Sequence, residues 1–312
     1  MYISQAYTGL TDAWRYLVGI IVVFIATQIG SLPFIIAIAM KSFEDNLSPE
    51  DFEDQSVLMN LFDSNTTLLF MLLGFAVGLL GLFLWVRYVH KQKLTALTTS
   101  RKKIDWGRIL FSFGLIAVVT IVLTYIDYKS NPEDYVYQFD AGLFAVLAVI
   151  AIVFIPLQSA MEEYVFRGYL MQGIGVFANN KWLPLIITSV AFGGLHYWNP
   201  EVDKIGPIIM VYYIGTGFFL GIMTLMDEGL ELALGFHIGN NLIAALLVSA
   251  DWTVFQTESI LLDVSEPSTG FDVLVPVLVM YPLFLAIMAT RYKWKGWKSK
   301  LFGEVYQPSI QQ

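Results

Sequence analysis

A run of seventeen uncharged residues, Ala141 to Leu157, leads directly into a stretch containing Gln158, Glu162, Glu163, Phe166, Arg167 and Gly168. An apolar run of this length needs either a large core or a bilayer, and charge at its edge must find partners. Ionisable groups at membrane depth are rare and face a bundle interior or a wet cavity, where they pair or serve a function. On a helix Glu163 and Arg167 share one face, acid N-terminal to base, and form an ion pair. Glu162 points about 100° away around the axis, which leaves it a carboxylate free for water or a histidine. The plainer alternative is that all three are interfacial charges snorkelling to water.

Composition decides the setting. The 312 residues are 56% hydrophobic and 14% charged, with a mean hydropathy of +0.63. Soluble domains carry about 25% charged residues, so the chain reads as a polytopic membrane protein. Cysteine is absent, which excludes disulfides, thiolate metal sites and a cysteine nucleophile. The net charge of −8 resides mostly in one loop, and no basic nucleic-acid footprint is present. The amino terminus lacks a positive cluster and its first apolar run is long enough to span, so no cleavable signal peptide is expected.

The apolar segments predict an all-α, polytopic membrane helical bundle of about eight transmembrane helices. They run approximately over Leu17–Met40 (with a kink expected at Pro33), Thr67–Val89, Ile109–Ile126, Ala141–Leu157, Leu183–His196, Pro207–Met226, Leu232–Val248 and Val273–Thr290. The fifth is short for a full crossing. Met171 to Asn180 reads as an amphipathic continuation of the fourth, ending at an interface marked by Lys181 and Trp182. Gly74, Gly78 and Gly81 in the second would let helices approach closely. An acidic loop (Glu44, Asp45, Glu50, Asp51, Glu53, Asp54, Asp63) follows the first span, and a basic one (Arg87, Lys91, Lys93, Arg101, Lys102, Lys103, Arg108) follows the second. By the positive-inside tendency the basic loop is cytoplasmic, as is the tail with Arg291, Lys293, Lys295, Lys298 and Lys300. Eight spans then put both termini in the cytoplasm, in a multi-pass protein of the cell (inner) membrane.

Three histidines occur. His90 lies among Arg87, Lys91 and Lys93 and is expected to be solvated or lipid-facing. His196 closes Phe192-Gly-Gly-Leu-His196, whose glycines leave room for another helix or a substrate backbone. His237 and Asn241 are one helical turn apart and project from one face, where an imidazole and a carboxamide can both donate to a single point, as an oxyanion requires. Either residue can equally be interhelical glue, and His196 a satisfied core histidine. Together with Glu162 they form a general-base arrangement for hydrolysis. Glu162, His196 and His237 are also the residues that would hold a divalent metal, zinc foremost. Neither a His-Glu-x-x-His helix nor a Gly-x-Ser-x-Gly elbow is present.

Glu162-Glu163-x-x-x-Arg167, Phe192-x-x-x-His196 and His237-x-x-x-Asn241, in that order between about Val153 and Val248, resemble the three motifs of the CPBP intramembrane proteases. That family includes the type II CAAX prenyl endopeptidases, the abortive-infection (Abi) proteins and the bacteriocin-immunity proteins. The resemblance implies a membrane peptidase of eight helices whose site opens to the cytoplasm. It makes Glu162 the catalytic glutamate, helped by His196, and assigns His237 and Asn241 to the oxyanion. Glu163 and Arg167 match motif positions and are read as structural support, with Phe192. The family has been described both as metal-dependent and as glutamate-dependent without metal. Asn241, an unusual metal ligand, tips the expectation to the second, so no cofactor is assigned.

The expected organisation is one integral domain: N-terminal helices and loops over 1–140, the core over 141–250, and a loop, last helix and basic tail over 251–312. The expected function is endopeptidase action on a membrane-associated peptide or protein, with the lipid bilayer as the other partner and no nucleic acid. A non-catalytic immunity or scaffold protein and a proton-coupled transporter are the alternatives. Glu162, His196, His237 and Asn241 are expected to converge on one polar cavity, in hydrogen-bonding reach directly or through one water. A difficulty attends this. If the fifth segment starts at the cytoplasmic face, His196 lies about 20 Å along it, whereas His237 is only a turn or two into its span. A tilted, broken or re-entrant helix, with Pro156 as one break point, is the expected remedy.

Overall fold

The computed structural model describes residues 1–45, 57, 61–267 and 270–307. Glu50, Asp51, Glu53 and Asp54 of the acidic loop lie outside the described residues. The principal helices are α1 (Ala13–Asp45), α2 (Ser64–Val89), α3 (Trp106–Ser130), α4 (Ala141–Ala178), α5 (Trp182–Gly194), α6 (Ile209–Asp227), α7 (Glu231–Leu247) and α8 (Asp272–Tyr292). Six of them are long and apolar enough to cross a membrane; α5, with 13 residues, and α7, with 17, are shorter. The protein is therefore an all-α polytopic bundle. Of the two short helices, α7 carries His237 and Asn241, and α5 leads into the turn that carries His196.

Large apolar side chains such as Leu17, Phe24, Leu110, Val118, Val149 and Leu278 face outward, as lipid-exposed helix faces must. Inside, α1 and α2 pack where Gly74, Gly78 and Gly81 meet Ser31, Thr27 and Ala26. Pro33 and Pro156 both lie within continuous helix. α4 continues through a π-helical stretch, Tyr164–Leu170, and on to Ala178, where Asn179 in the left-handed conformation ends it, a role asparagine tolerates better than most residues. One element escaped the sequence reading. At the end of the bundle where α3 and α7 finish, a small sheet forms from β1 (Tyr135–Tyr137), β2 (Val248–Ala250) and β3 (Leu261–Asp263). Its central strand β3 is antiparallel to β1 and parallel to β2.

At the opposite end both termini meet: Ser4 Oγ donates to the Tyr306 carbonyl at 3.0 Å, and the Val305 amide to the Asn179 carbonyl at 3.0 Å. The connection between α2 and α3 packs there too. His90 is buried, 1% exposed, contrary to the solvated or lipid-facing position expected of it. Its Nδ1 lies 2.7 Å from the Leu10 carbonyl and its Nε2 2.9 Å from the Tyr169 hydroxyl. Arg101 and Arg108 are not free loop charges either: Arg101 bridges Asp227 at 2.9 Å and Glu231 at 3.0 Å, and Arg108 pairs with Asp227. This cluster clamps the α6–α7 turn.

The length of α4 resolves the depth difficulty. About 24 Å of helix separate Glu162 from Ala178 at 1.5 Å per residue, and His196 lies about 21 Å from the start of α5 at Trp182 by the same measure. α7 does not begin at that level: Leu230, just before it, packs on Gly168, about 15 Å further up α4. His237 is then reached about 10 Å beyond. No broken or re-entrant helix is needed, because the short α7 begins inside the molecule.

Candidate active site

α4 and α7 run antiparallel and face each other through two rungs. Glu162 Oε2 lies 3.4 Å from His237 Nε2, and one turn away Gln158 Oε1 accepts from Asn241 Nδ2 at 3.2 Å. Each rung uses residues spaced by four on its own helix, so Gln158 and Glu162 share one face of α4, as His237 and Asn241 share one face of α7. Ser159 Oγ also donates to Gln158 Oε1 at 3.1 Å, and Asn240 Nδ2 donates to Asn241 Oδ1 at 3.1 Å. The amide rung is thus oriented from both helices.

The two glutamates divide. Glu163 is fully enclosed, and its Oε1 accepts from Arg167 Nη1 at 2.9 Å and from His237 Nδ1 at 2.9 Å. Arg167, equally enclosed, donates through Nη2 to the Gly217 carbonyl at 3.3 Å and lies 4.1 Å over the Phe192 ring. Glu162 keeps 13% of its side chain accessible. Beyond the ion pair with Arg167, Glu163 also carries a histidine. Since a carboxylate bonded to a guanidinium only accepts, His237 Nδ1 donates to Glu163 Oε1. Both ring nitrogens of His237 therefore face carboxylates.

His196 occupies a 3₁₀ turn, Leu195–Trp198, that extends α5. Its Nδ1 lies 2.8 Å from the Phe192 carbonyl, and its ring stacks on Tyr213 with centroids 4.5 Å apart. Phe192 stands between the imidazoles, 4.8 Å from the His196 ring and 6.1 Å from that of His237. Among the described residues His196 makes no direct hydrogen bond to Glu162, His237 or Asn241. The structure thus joins Glu162, Glu163, Arg167 and His237 in one network, sets Asn241 one turn away in the amide rung with Gln158 and Ser159, and brings His196 alongside across Phe192. Of the two motif glycines, Gly193 is where Ile214 of α6 packs, while Gly194 is open.

Sequence reasoning passed over three residues here. Gln158 and Ser159 hold Asn241; the spacing of Gln158 from Glu162 was the available signal. Glu201, in the helix Pro200–Ile205 after His196, is buried and accepts from the Val254 amide at 2.9 Å. Burial pushes its carboxyl above the ordinary range, against the pull of that amide and of nearby His196.

The alternative metal set does not fit. Among the described residues no three His, Cys, Asp or Glu side chains are grouped so as to hold a metal ion. His196 is separated from Glu162 and His237 by the Phe192 ring, and both nitrogens of His237 are engaged with carboxylates.

Fold and site together define a polytopic helical membrane protein with a carboxylate, imidazole and amide centre between its helices. Residues 140–243, the segment that carries the site, match the family described as type II CAAX prenyl endopeptidase Rce1-like. The chain is 27% identical over 251 residues to the uncharacterized protein YyaK of Bacillus subtilis (strain 168), covering 79% of this chain and 82% of the relative. No solved structure matches.

Proposed function

We propose that the protein is an intramembrane endopeptidase in which Glu162 activates water against a peptide bond of a membrane-associated substrate. The observation that carries this reading is the division of the glutamates: Glu163 is enclosed and shared by Arg167 and His237, while Glu162 is partly accessible and faces His237. Glu162 takes a proton from water as the water oxygen bonds to the carbonyl carbon. The carbonyl oxygen becomes an oxyanion, the carbon–nitrogen bond then breaks, and the proton on Glu162 passes to the leaving amine.

His237 belongs to the Glu162 rung and sets that carboxylate's orientation, so the carbonyl falls to Asn241 one turn away. His196, its Nδ1 held by the Phe192 carbonyl, presents Nε2 as the remaining nitrogen for relaying the amine's proton. Basic residues at the end holding both termini support a cytoplasmic position for that end.

The test compares new protein termini in membrane fractions of cells with wild type and with Glu162→Gln. Termini present only with wild type are expected, since loss of a general base costs about 10²- to 10⁴-fold. Identical termini from both, with Glu162→Gln fully folded, would favour the immunity or scaffold reading instead.

A further inference from the structure

The amide rung contains a donor that the motifs do not. Hydrogen bonds run through it in one direction: Asn240 Nδ2 donates to Asn241 Oδ1, Asn241 Nδ2 donates to Gln158 Oε1, and Ser159 Oγ donates to the same Oε1. With two donors on its oxygen, the Gln158 carboxamide is held in one of its two flip states. Its Nε2, with two hydrogens, is the end of the chain. That nitrogen has no hydrogen-bond partner among the described residues, yet it is not among the enclosed orphan atoms, although the side chain as a whole is only 4% exposed. A carboxamide so buried, with an oriented and reachable N–H₂, is prepared for an acceptor that arrives from outside.

Position says which acceptor. Gln158 and Glu162 lie on one face of α4, separated by about one helical turn, 5.4 Å. A water held by Glu162 and the oxygen of the carbonyl it attacks occupy neighbouring places across such a gap. Asn241 Nδ2 donates to Gln158 Oε1 at 3.2 Å and reaches Ser159 Oγ at 3.5 Å, so only the longer, weaker of its two bonds can be given up to that oxygen and a second donor must come from elsewhere. Both nitrogens of His237 face carboxylates, which leaves Gln158 Nε2 as the amide donor nearest in the rung.

The geometry points to Gln158 as a catalytic residue that donates through Nε2 to the substrate carbonyl oxygen and to the oxyanion it becomes. This rests on the peptidase reading above. The rival role is that Gln158 merely holds Asn241 through Oε1, and a pair of substitutions separates the two. Gln158→Glu keeps an oxygen acceptor for Asn241 and Ser159 but removes the donor, whereas Gln158→Met removes both.

The assay uses an internally quenched peptide spanning a cleavage site mapped by the Glu162→Gln comparison, together with its phosphinate isostere, whose tetrahedral oxygen stands in for the oxyanion. The purified full chain in lipid nanodiscs is used throughout. Gln158→Met and Gln158→Glu are both expected to lower kcat by about 10²- to 10³-fold, the usual effect of deleting one oxyanion donor, with KM little changed. Phosphinate affinity should fall with kcat/KM, and both variants should remain folded at the assay temperature by tryptophan fluorescence, the buried carboxylate of Gln158→Glu costing part of the stability. Wild-type kcat in Gln158→Glu with a loss only in Gln158→Met would overturn the donor role. So would a loss in both variants that leaves phosphinate affinity unchanged. If Glu162→Gln itself cleaves like wild type, or no site is mapped, the peptidase reading fails and takes this assignment with it.

Discussion

Arg167→Met tests whether the Glu163–Arg167 pair holds the site together as a buried unit. The guanidinium is fully enclosed, 2.9 Å from Glu163 Oε1, 3.3 Å from the Gly217 carbonyl and 4.1 Å above Phe192. Methionine keeps most of the apolar stem, so the loss is charge and hydrogen bonds rather than packing. Left behind is a carboxylate with 0% side-chain exposure whose Oε2 already lacks a partner among the described residues and whose Oε1 retains, among them, only His237 Nδ1. Removing one member of such a pair costs about 3–5 kcal/mol, or about 10²- to 10⁴-fold in the folding equilibrium. Glu163→Gln should cost a similar amount by stranding Arg167. Glu163→Gln combined with Arg167→Met removes both charges while the new amide oxygen still accepts from His237, so it should recover to within about 1–2 kcal/mol of wild type. The measurement is reversible denaturation in mild detergent followed by tryptophan fluorescence, analysed as a double-mutant cycle. Single variants within about 0.5 kcal/mol of wild type, or a double variant equal to the sum of the singles, would show that the pair is not a desolvated unit.

Burial pushes the His90 imidazole below its ordinary value of 6.5. The unfolded chain then protonates first on acidification, so stability is complete above about pH 6.5 and is lost as pH falls from there through the lower folded value. His90→Gln should flatten that part of the stability–pH curve, and a parallel curve would contradict the buried neutral ring. Gly217→Val would bring a Cβ to 2.5 Å from the Ser189 carbonyl where α6 crosses α5; a loss of about 1–3 kcal/mol is expected, and an unchanged unfolding midpoint would count against the close crossing. With no native cysteine in the chain, Glu162→Cys should react with a small maleimide and Glu163→Cys should not, given side-chain exposures of 13% and 0%.

Much of the fold was legible because apolar length reports directly on membrane crossing, and the six long helices all fall on segments that the sequence marked. The pairing of Glu163 with Arg167 was legible because helical spacing by four fixes a face. Depth was not. Periodicity places a residue around and along its own helix but says nothing of the level at which that helix starts, which is why α7 was expected to begin at the membrane surface. His90 was misjudged for a related reason: basic neighbours in sequence suggest solvent, yet Leu10 and Tyr169, which enclose it, come from distant parts of the chain. Arg101 and Arg108 counted toward orientation while their partners Asp227 and Glu231 lay beyond more than a hundred residues. Gln158 was passed over because a carboxamide carries no charge and becomes informative only when the direction of its hydrogen bonds is known.

The register of the two rungs has its own origin in the sequence Gly235-Phe-His237-Ile-Gly239-Asn-Asn241. Two residues along a helix turn it by about 200°, so the glycines at 235 and 239 lie on the face opposite His237 and Asn241. On that glycine face α3 approaches to backbone distance: Gly235 meets Ile109, and a Cβ at Gly239 would lie 2.6 Å from Ile116 and 3.0 Å from the Phe113 carbonyl. A helix that can approach α3 this closely only along its glycines has its rotation fixed. The imidazole and the carboxamide are thereby turned toward α4, where Ser112 Oγ, donating to the Leu232 carbonyl at 2.7 Å from the α3 side, helps set the level as well. The polar residues do not have to find one another through their own hydrogen bonds. Small residues on the far side of α7 place them, and the charge network between Glu162, Glu163 and His237 forms on a helix whose orientation packing has already determined.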